Sequence, residues 1–203
     1  MALILYGSHQ SRTKRVLWTL EELGLAFEHV PLAFDDPALK SPKFLALNPA
    51  GAIPTLVDDG LALSESLAIN LYLARRYGAA GPTPLCPIGL SGEAQAWRWS
   101  LWAQGHLEPW VMRDALLAEL RAAIAPHAAV AIAAALAILD RALAGRAWLV
   151  GEAFSVADLN VAGVLSPSRA GRLDLAPYPD VAAWLARCYD RPAAVATRRR
   201  YAG

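Results

Sequence analysis

Apolar and polar positions alternate along the chain in two different rhythms, and the change falls near residue 80. Ala2 to Tyr6 is an unbroken apolar run with the length of a buried strand. Gly7-Ser8-His9-Gln10 interrupts it. Val16, Leu17, Leu20 and Leu23 then share one helical face, with Gly24 as the C-terminal stop. Ala26 to Leu32 reads as a second strand that ends near Pro31. Asp35 to Leu47 is polar and punctuated by prolines, with one short helix predicted over Pro42 to Leu47. Thr55-Leu56-Val57 and Leu61-Ala62-Leu63 flank Asp58-Asp59-Gly60, and Asp-Gly between apolar runs is a hairpin signal. A helix that is apolar on several faces follows from Glu65 to about Tyr77. The order β-α-β-α-β-β-α predicts an α/β layer whose first strands run parallel.

Gly78 to Gly92 holds three prolines and four glycines without periodicity, which marks a linker. The expected organisation is a domain over 1–78, a linker over 79–92 and a helical domain over 93–203. Trp99, Trp102, Ala103, His106, Leu107 and Trp110 recur at three- and four-residue spacing, and Pro109 should kink that helix or mark an irregular turn. Ile132, Leu136, Leu139 and Leu143 form the next stripe. Ser155-Val156-Ala157-Asp158 is a capping box, with Phe154 and Leu159 placed as a hydrophobic staple, so a helix should start at Val156. Val181, Trp184, Leu185 and Cys188 form a last apolar face.

Composition narrows the classes. At 203 residues, 56% of them hydrophobic, the chain has ample core for one large or two small domains. A formal net charge of +1 creates no broad electrostatic demand for nucleic acid or an anionic membrane. Arg198-Arg199-Arg200 reads as a short solvated tail. The opening apolar run is too short for a signal peptide, and the run around Ala128 to Leu139 has core-helix rather than membrane-spanning length. Cys86 and Cys188 are the only cysteines, which argues against a disulfide framework and fits a reducing, cytoplasmic setting. Four scattered histidines offer no metal-ligand spacing, so no metal is expected.

The stretch from Asn48-Pro49-Ala50-Gly51-Ala52-Ile53-Pro54-Thr55-Leu56 to Ser64-Glu65-Ser66 carries the candidate chemistry. Pro54 stands at the first residue of a strand, and Ile53-Pro54 is a candidate cis peptide. Glu65 and Ser66 open a helix, and such an end binds carboxylates. By propensity alone, the stretch is a hairpin followed by a buried helix.

Three motifs in order resemble the cytosolic glutathione transferases of a bacterial type. They are the Asn-Pro-x-Gly-x-Ile-Pro-x-Leu run with Glu65-Ser66, the opening Leu5-Tyr6-Gly7-Ser8 with Ser11-Arg12 and Arg15-Val16-Leu17-Trp18, and Phe154-Ser155-Val156-Ala157-Asp158. The resemblance covers the whole chain. It implies an α/β thioredoxin-like N-terminal domain, an all-α C-terminal domain, glutathione as co-substrate and a homodimer.

Such an enzyme must hold a tripeptide and ionise its thiol, because the thiolate is the nucleophile. A drop of about two units from ~8.5 makes the thiol mostly ionised at neutral pH, and a hydroxyl donor and a helix N-terminus can supply it. Ser11 resembles the hydroxyl of the serine-type members, and its competing reading is a helix cap. Tyr6 is the alternative, with Ser8 and His9 behind it; the loop from Tyr6 to Arg15 is shorter than in tyrosine-type members. With no cysteine in the first loop, the cysteine-type members are disfavoured. The resemblance assigns Glu65 to the γ-glutamyl amine, Ser66 and the helix N–H groups to its carboxylate, and the backbone of Ile53, held by the bend at Pro54, to the cysteinyl part. The glycyl carboxylate needs a cation, for which Lys40, Lys43 and Arg12 are the choices. Ala52 departs from the longer polar residue frequent at its position. Trp102, His106 and Trp110 are candidates for the wall of an electrophile pocket, which the family builds between its domains; as an aromatic stripe at helical spacing they equally read as core.

The resulting expectation is transfer of glutathione to a small hydrophobic electrophile. Peroxidase, isomerase or dehalogenase chemistry on the same fold is the alternative within enzymes, and a non-catalytic binding or interaction module the alternative outside them.

Overall fold

The computed structural model describes residues 3–112 and 118–201, and the Ala2 end of the first expected strand lies outside them. The chain divides into two compact units, Met1–Cys86 together with Pro192–Gly203, and Pro87–Arg191. The last helix thus belongs with the first unit, where periodicity alone had grouped it with the helical domain.

In the first unit, strands β1 (Leu3–Tyr6), β2 (Glu28–Val30), β3 (Thr55–Asp58) and β4 (Leu61–Ser64) form one sheet in the order β2-β1-β3-β4. β1 pairs parallel with β2 and antiparallel with β3, placing Tyr6 opposite Val30 and Thr55. This is the thioredoxin-like arrangement. β2 is shorter than Ala26 to Leu32 because it is a partly exposed edge strand that Pro31, lacking an N–H, cannot extend.

Helix α1 (Thr13–Leu23) ends at Gly24, whose φ of 63° lets its N–H close on the Leu20 and Glu21 carbonyls. Leu5 and Leu56 of the sheet and Val16, Leu17 and Leu20 of α1 are fully buried. Helix α3 (Ser66–Tyr77) packs beside α1, as does α9 (Pro192–Arg200), where Arg200 pairs with Glu21. A 3-10 turn at Pro37–Lys40, absent from the periodicity, precedes α2 (Pro42–Leu47). Asp36 accepts from Ala38 N to start the turn, and Ser41 accepts from Phe44 N to start α2. Residues 79–86 are not a solvated tether: Leu85 is fully buried and Thr83 donates to Glu22 at 3.1 Å.

The second unit holds helices α4 (Gly89–Trp102), α5 (Glu108–Val111), α6 (Ala118–Leu143), α7 (Val156–Ala170) and α8 (Pro179–Tyr189). α4 begins inside the stretch expected to be linker. A π-helical turn at Ala103–Leu107 joins α4 to α5. Its cause is Pro109, whose ring conflicts with the carbonyl four residues back and whose nitrogen donates nothing.

α6 is longer than the run around Ala128 to Leu139 suggests, and Ala122–Leu143 is long and apolar enough to cross a membrane by length and composition. Its Ile132, Leu136, Leu139 and Leu143 stripe is nonetheless buried in the unit, and Asp140 near its end accepts from the first amides of α8, Asp180 N and Val181 N.

α7 is buried along nearly its whole length and starts where the capping box predicts. Asp158 Oδ2 accepts from Ser155 N at 3.0 Å and Ser155 Oγ at 3.1 Å. Its other oxygen accepts from Leu149 N at 2.9 Å and Trp184 Nε1 at 2.8 Å. Burial pushes the Asp158 carboxyl up, against the pull of these four donors.

Candidate functional site

The hydroxyl candidate stands at the opening of α1. Ser11 Oγ donates to the Ser8 carbonyl at 2.7 Å, lies 2.8 Å from Thr13 Oγ1, and accepts from Thr13 N at 3.1 Å. Both the cap reading and the catalytic reading therefore describe the same atom: the oxygen accepts from the first amide of the helix while its proton is held on the Ser8 carbonyl. Thr13 is fully buried, and Gly7 makes room for it, since a β-carbon on Gly7 would lie 2.2 Å from Thr13 Oγ1. Gly7 also holds the loop by its N–H to Val30 O at 2.9 Å and its carbonyl to His29 Nε2 at 2.7 Å.

The other first-loop candidates lie differently. Tyr6 is half-buried with its ring edge-on to Phe44 of α2 at 5.6 Å. His9 stacks on Tyr201 at 5.8 Å, and Ser8 Oγ accepts from Gln10 N at 3.1 Å.

The second wall is the turn ahead of β3. The Ile53–Pro54 peptide is cis. Asn48 staples this turn from beneath: its Nδ2 donates to Ala52 O at 2.9 Å and Thr55 Oγ1 at 3.0 Å, and its Oδ1 accepts from Ala50 N at 3.1 Å. Thr55 Oγ1 in turn donates to Ala52 O at 3.0 Å. Asn48 and Thr55 are buried, so these bonds are made where water cannot replace them. The Ala52 carbonyl is thus committed, and its exposed methyl offers a ligand no polar contact.

Of the three cations, Lys40 bonds to this turn. Its Nζ donates to Gly51 O at 3.1 Å and reaches Ala50 O at 3.5 Å. Gly51, at φ 57°, leaves the space: a β-carbon there would sit 2.7 Å from Lys40 Nζ and 2.8 Å from Leu39 O. Arg12 is exposed at the cap of α1, and Lys43 is exposed on α2.

The third wall is the start of α3. Glu65 is its exposed cap, at φ 68° and ψ 109°, and lies outside the helix it was expected to begin. A non-glycine residue there costs of order 1–3 kcal/mol, and such strain concentrates at ligand clamps. Ser66 is buried, and Arg15 Nη1 donates to its Oγ at 3.3 Å. Sequence reasoning gave roles to neither Asn48, Thr13 nor Arg15. For Arg15 a signal existed: Arg15, Thr19 and Glu22 recur at helical spacing on α1 and are all buried, which is the pattern of an internal polar face.

In the helical unit, Trp102 and Trp110 are half-buried and His106 is exposed. Trp102 meets Trp99 edge-on at 5.2 Å, while the π-helical turn stands between Trp102 and Trp110. Cys188 is buried and Cys86 half-buried, neither in the first loop.

A thioredoxin-like unit followed by an all-helical unit is the fold of the glutathione transferases. Comparison with known sequences agrees. The family model for the glutathione S-transferase N-terminal domain matches residues 1–75, and that for the C-terminal domain matches residues 100–192. Glutathione S-transferase 3 of Zea mays is 37% identical over 201 residues, covering 93% of this chain and 90% of that protein. Glutathione S-transferase GstB of Escherichia coli strain K12 is 33% identical, covering 93% and 94%. The solved structure of glutathione S-transferase III in its apo form aligns with a TM-score of 0.81 at 35% identity, covering 98% of this chain and 96% of that one. The chain belongs to the glutathione S-transferase family.

Proposed function

We propose that this chain is a serine-type glutathione transferase that joins the glutathione sulfur to small hydrophobic electrophiles. The observation that carries the reading is the Ser11 hydroxyl at the opening of α1, bonded to Thr13 Oγ1 at 2.8 Å. With Thr13 donating to Ser11 Oγ, the Ser11 proton, held on the Ser8 carbonyl at 2.7 Å, has to turn from that carbonyl to the sulfur when glutathione binds, and the α1 N-terminus adds its partial positive charge. The remaining contacts follow the tripeptide's charges. Glu65 takes the ammonium, Ser66 and the first N–H groups of α3 take the γ-glutamyl carboxylate, and Ile53 offers its backbone to the cysteinyl part. Lys40, already anchored on Gly51, is the cation best supported for the glycyl carboxylate, with Arg12 as the alternative.

In the reaction the thiol proton leaves to solvent, the thiolate forms the S–C bond, and a halide departs when the electrophile is a halo-aromatic. Trp102, His106 and Trp110 remain the proposed electrophile wall. The homodimer implied by the family finds support in α4, where Leu90, Trp97 and Leu101 share one face and are 73%, 45% and 68% exposed.

Turnover of a halo-aromatic with glutathione tests the reading. Ser11→Ala should lower kcat ten-fold or more and leave glutathione affinity nearly unchanged. Tyr6→Phe should be near-neutral. The opposite pattern moves the role to Tyr6, and an unchanged kcat in both removes the hydroxyl mechanism.

A further inference from the structure

The inner face of α9 runs on past the helix itself. Ala194 and Thr197 are buried on this helix, which packs against α1. Tyr201 continues the same face four residues on, and its N–H closes on Thr197 O at 3.2 Å. The half-buried ring of Tyr201 there meets two imidazoles from distant parts of the first unit. His9 stacks on it at 5.8 Å between centroids and 26° between planes. His29 of β2 meets it edge-on at 5.6 Å and 88°.

Both histidines act on the loop from Gly7 to Ser11. His29 Nε2 donates to Gly7 O at 2.7 Å, where the loop begins. His9 belongs to the loop, and its Nε2 is buried with no hydrogen-bond partner among the described residues. With no bond at that nitrogen, stacking on Tyr201 orients the ring. The residue before His9 is Ser8, whose carbonyl holds the Ser11 hydroxyl at 2.7 Å and the Ser11 N–H at 3.0 Å. A shift of His9 therefore moves the acceptor from which the Ser11 proton has to turn. Each aromatic pair of this kind biases a local equilibrium by about two- to ten-fold. None of the proposed contacts to the tripeptide involves Tyr201, His9 or His29.

We infer that Tyr201 is a positioning residue for the thiolate: its ring, acting through His9 and His29, holds the Gly7–Ser11 loop where the Ser11 hydroxyl serves the sulfur. The inference rests on the serine-type reading and adds to it a part that the chain beyond α9 supplies. Because Ile53, Glu65, Ser66 and Lys40 hold the tripeptide in that reading, the loss of the ring falls on thiol ionisation and turnover rather than on glutathione binding.

The experiment follows the thiolate of bound glutathione by its ultraviolet difference absorbance as pH is raised, alongside kcat and KM for a halo-aromatic substrate. Tyr201→Ala should lower kcat about five-fold and leave KM for glutathione nearly unchanged. It should also raise the midpoint of thiolate formation by about half a unit, the shift that a several-fold loss of the competent loop produces. Tyr201→Phe, which keeps the ring, should match the unmodified chain. His9→Ala should reproduce the Tyr201→Ala shift, and the two substitutions together should add little to Tyr201→Ala alone, because they break the same contact. Four results would each overturn the proposal while Ser11→Ala still loses turnover. They are an unchanged midpoint in Tyr201→Ala, a phenylalanine variant as impaired as the alanine one, additive effects of the two substitutions, and a raised KM without a shifted midpoint. A fully active Ser11→Ala variant removes the serine-type reading itself, and this proposal with it.

Discussion

Glu65 couples stability to ligand binding in a way two substitutions can separate. Its φ of 68° with ψ 109° is a conformation that a β-carbon disfavours and that glycine tolerates better. Relief of that strain is worth of order 1–3 kcal/mol, while the extra unfolded-state freedom of glycine costs about 0.5–1 kcal/mol. Glu65→Gly should therefore stabilise the protein by roughly 1 kcal/mol net, raising Tm by about 2–4 °C for a chain of this size. Glu65→Ala keeps the β-carbon and gains nothing. Both variants lose the carboxylate proposed to hold the glutathione ammonium, a charge-assisted bond worth about 1.5–3 kcal/mol, so affinity should fall roughly ten- to hundred-fold.

Urea unfolding of the three proteins reads the first effect, and calorimetric titration with glutathione reads the second. Equal stability of the alanine and glycine variants would show that the backbone stores no strain at this position. Glutathione affinity unchanged in both would remove Glu65 from the binding site, whatever the stabilities. A glycine variant that is more stable yet binds poorly is the result the geometry requires.

Asn48→Ala should destabilise by about 1–3 kcal/mol through the buried partners it leaves unmet, and raise KM for glutathione more than it lowers kcat, measured by urea unfolding and steady-state kinetics. Burial and the bond from its hydroxyl to Asp58 at 2.8 Å push Tyr72 up to about 12 from 10.0. The stability this confers is whole below pH 10 and is lost as pH rises through 12; Tyr77, on the same Asp58 oxygen, is raised in the same sense. A pH series of unfolding midpoints should show that slope, and Tyr72→Phe should flatten it. Sedimentation should find a dimer that Leu90→Glu with Leu101→Glu converts to monomer; a monomeric unmodified chain would refute the α4 face as an interface.

What was legible in the sequence divides along physical lines. Local chemistry announced itself: Gly24 after an apolar face, Asp-Gly between two short runs, and Ser155 three residues before Asp158 each fixed an element's end, because the groups that satisfy those ends are neighbours in sequence. The start of α4 did not, because its cap residue, Ile88, makes no side-chain cap bond and the glycines around it also read as loop. The attachment of α9 to the first unit rests on contacts with α1 across most of the chain's length, which no local rhythm encodes.

The site shows the same division. Residues that touch the ligand in the proposed reading take their roles from their motifs, whereas Asn48 and Arg15, though inside those motifs, and Thr13 act through side-chain bonds to backbone or hydroxyls elsewhere. Yet Arg15 was not hidden. A helix that puts Arg15, Thr19 and Glu22 on one face has either a solvated side or an internal polar seam. α1 packs against α3 and α9 and is buried at nine of its residues, and so has little solvated side to offer. In a helix packed on several sides, a polar stripe is therefore itself evidence of a support network, and here that network ends on the Ser66 hydroxyl that the proposed ligand would share.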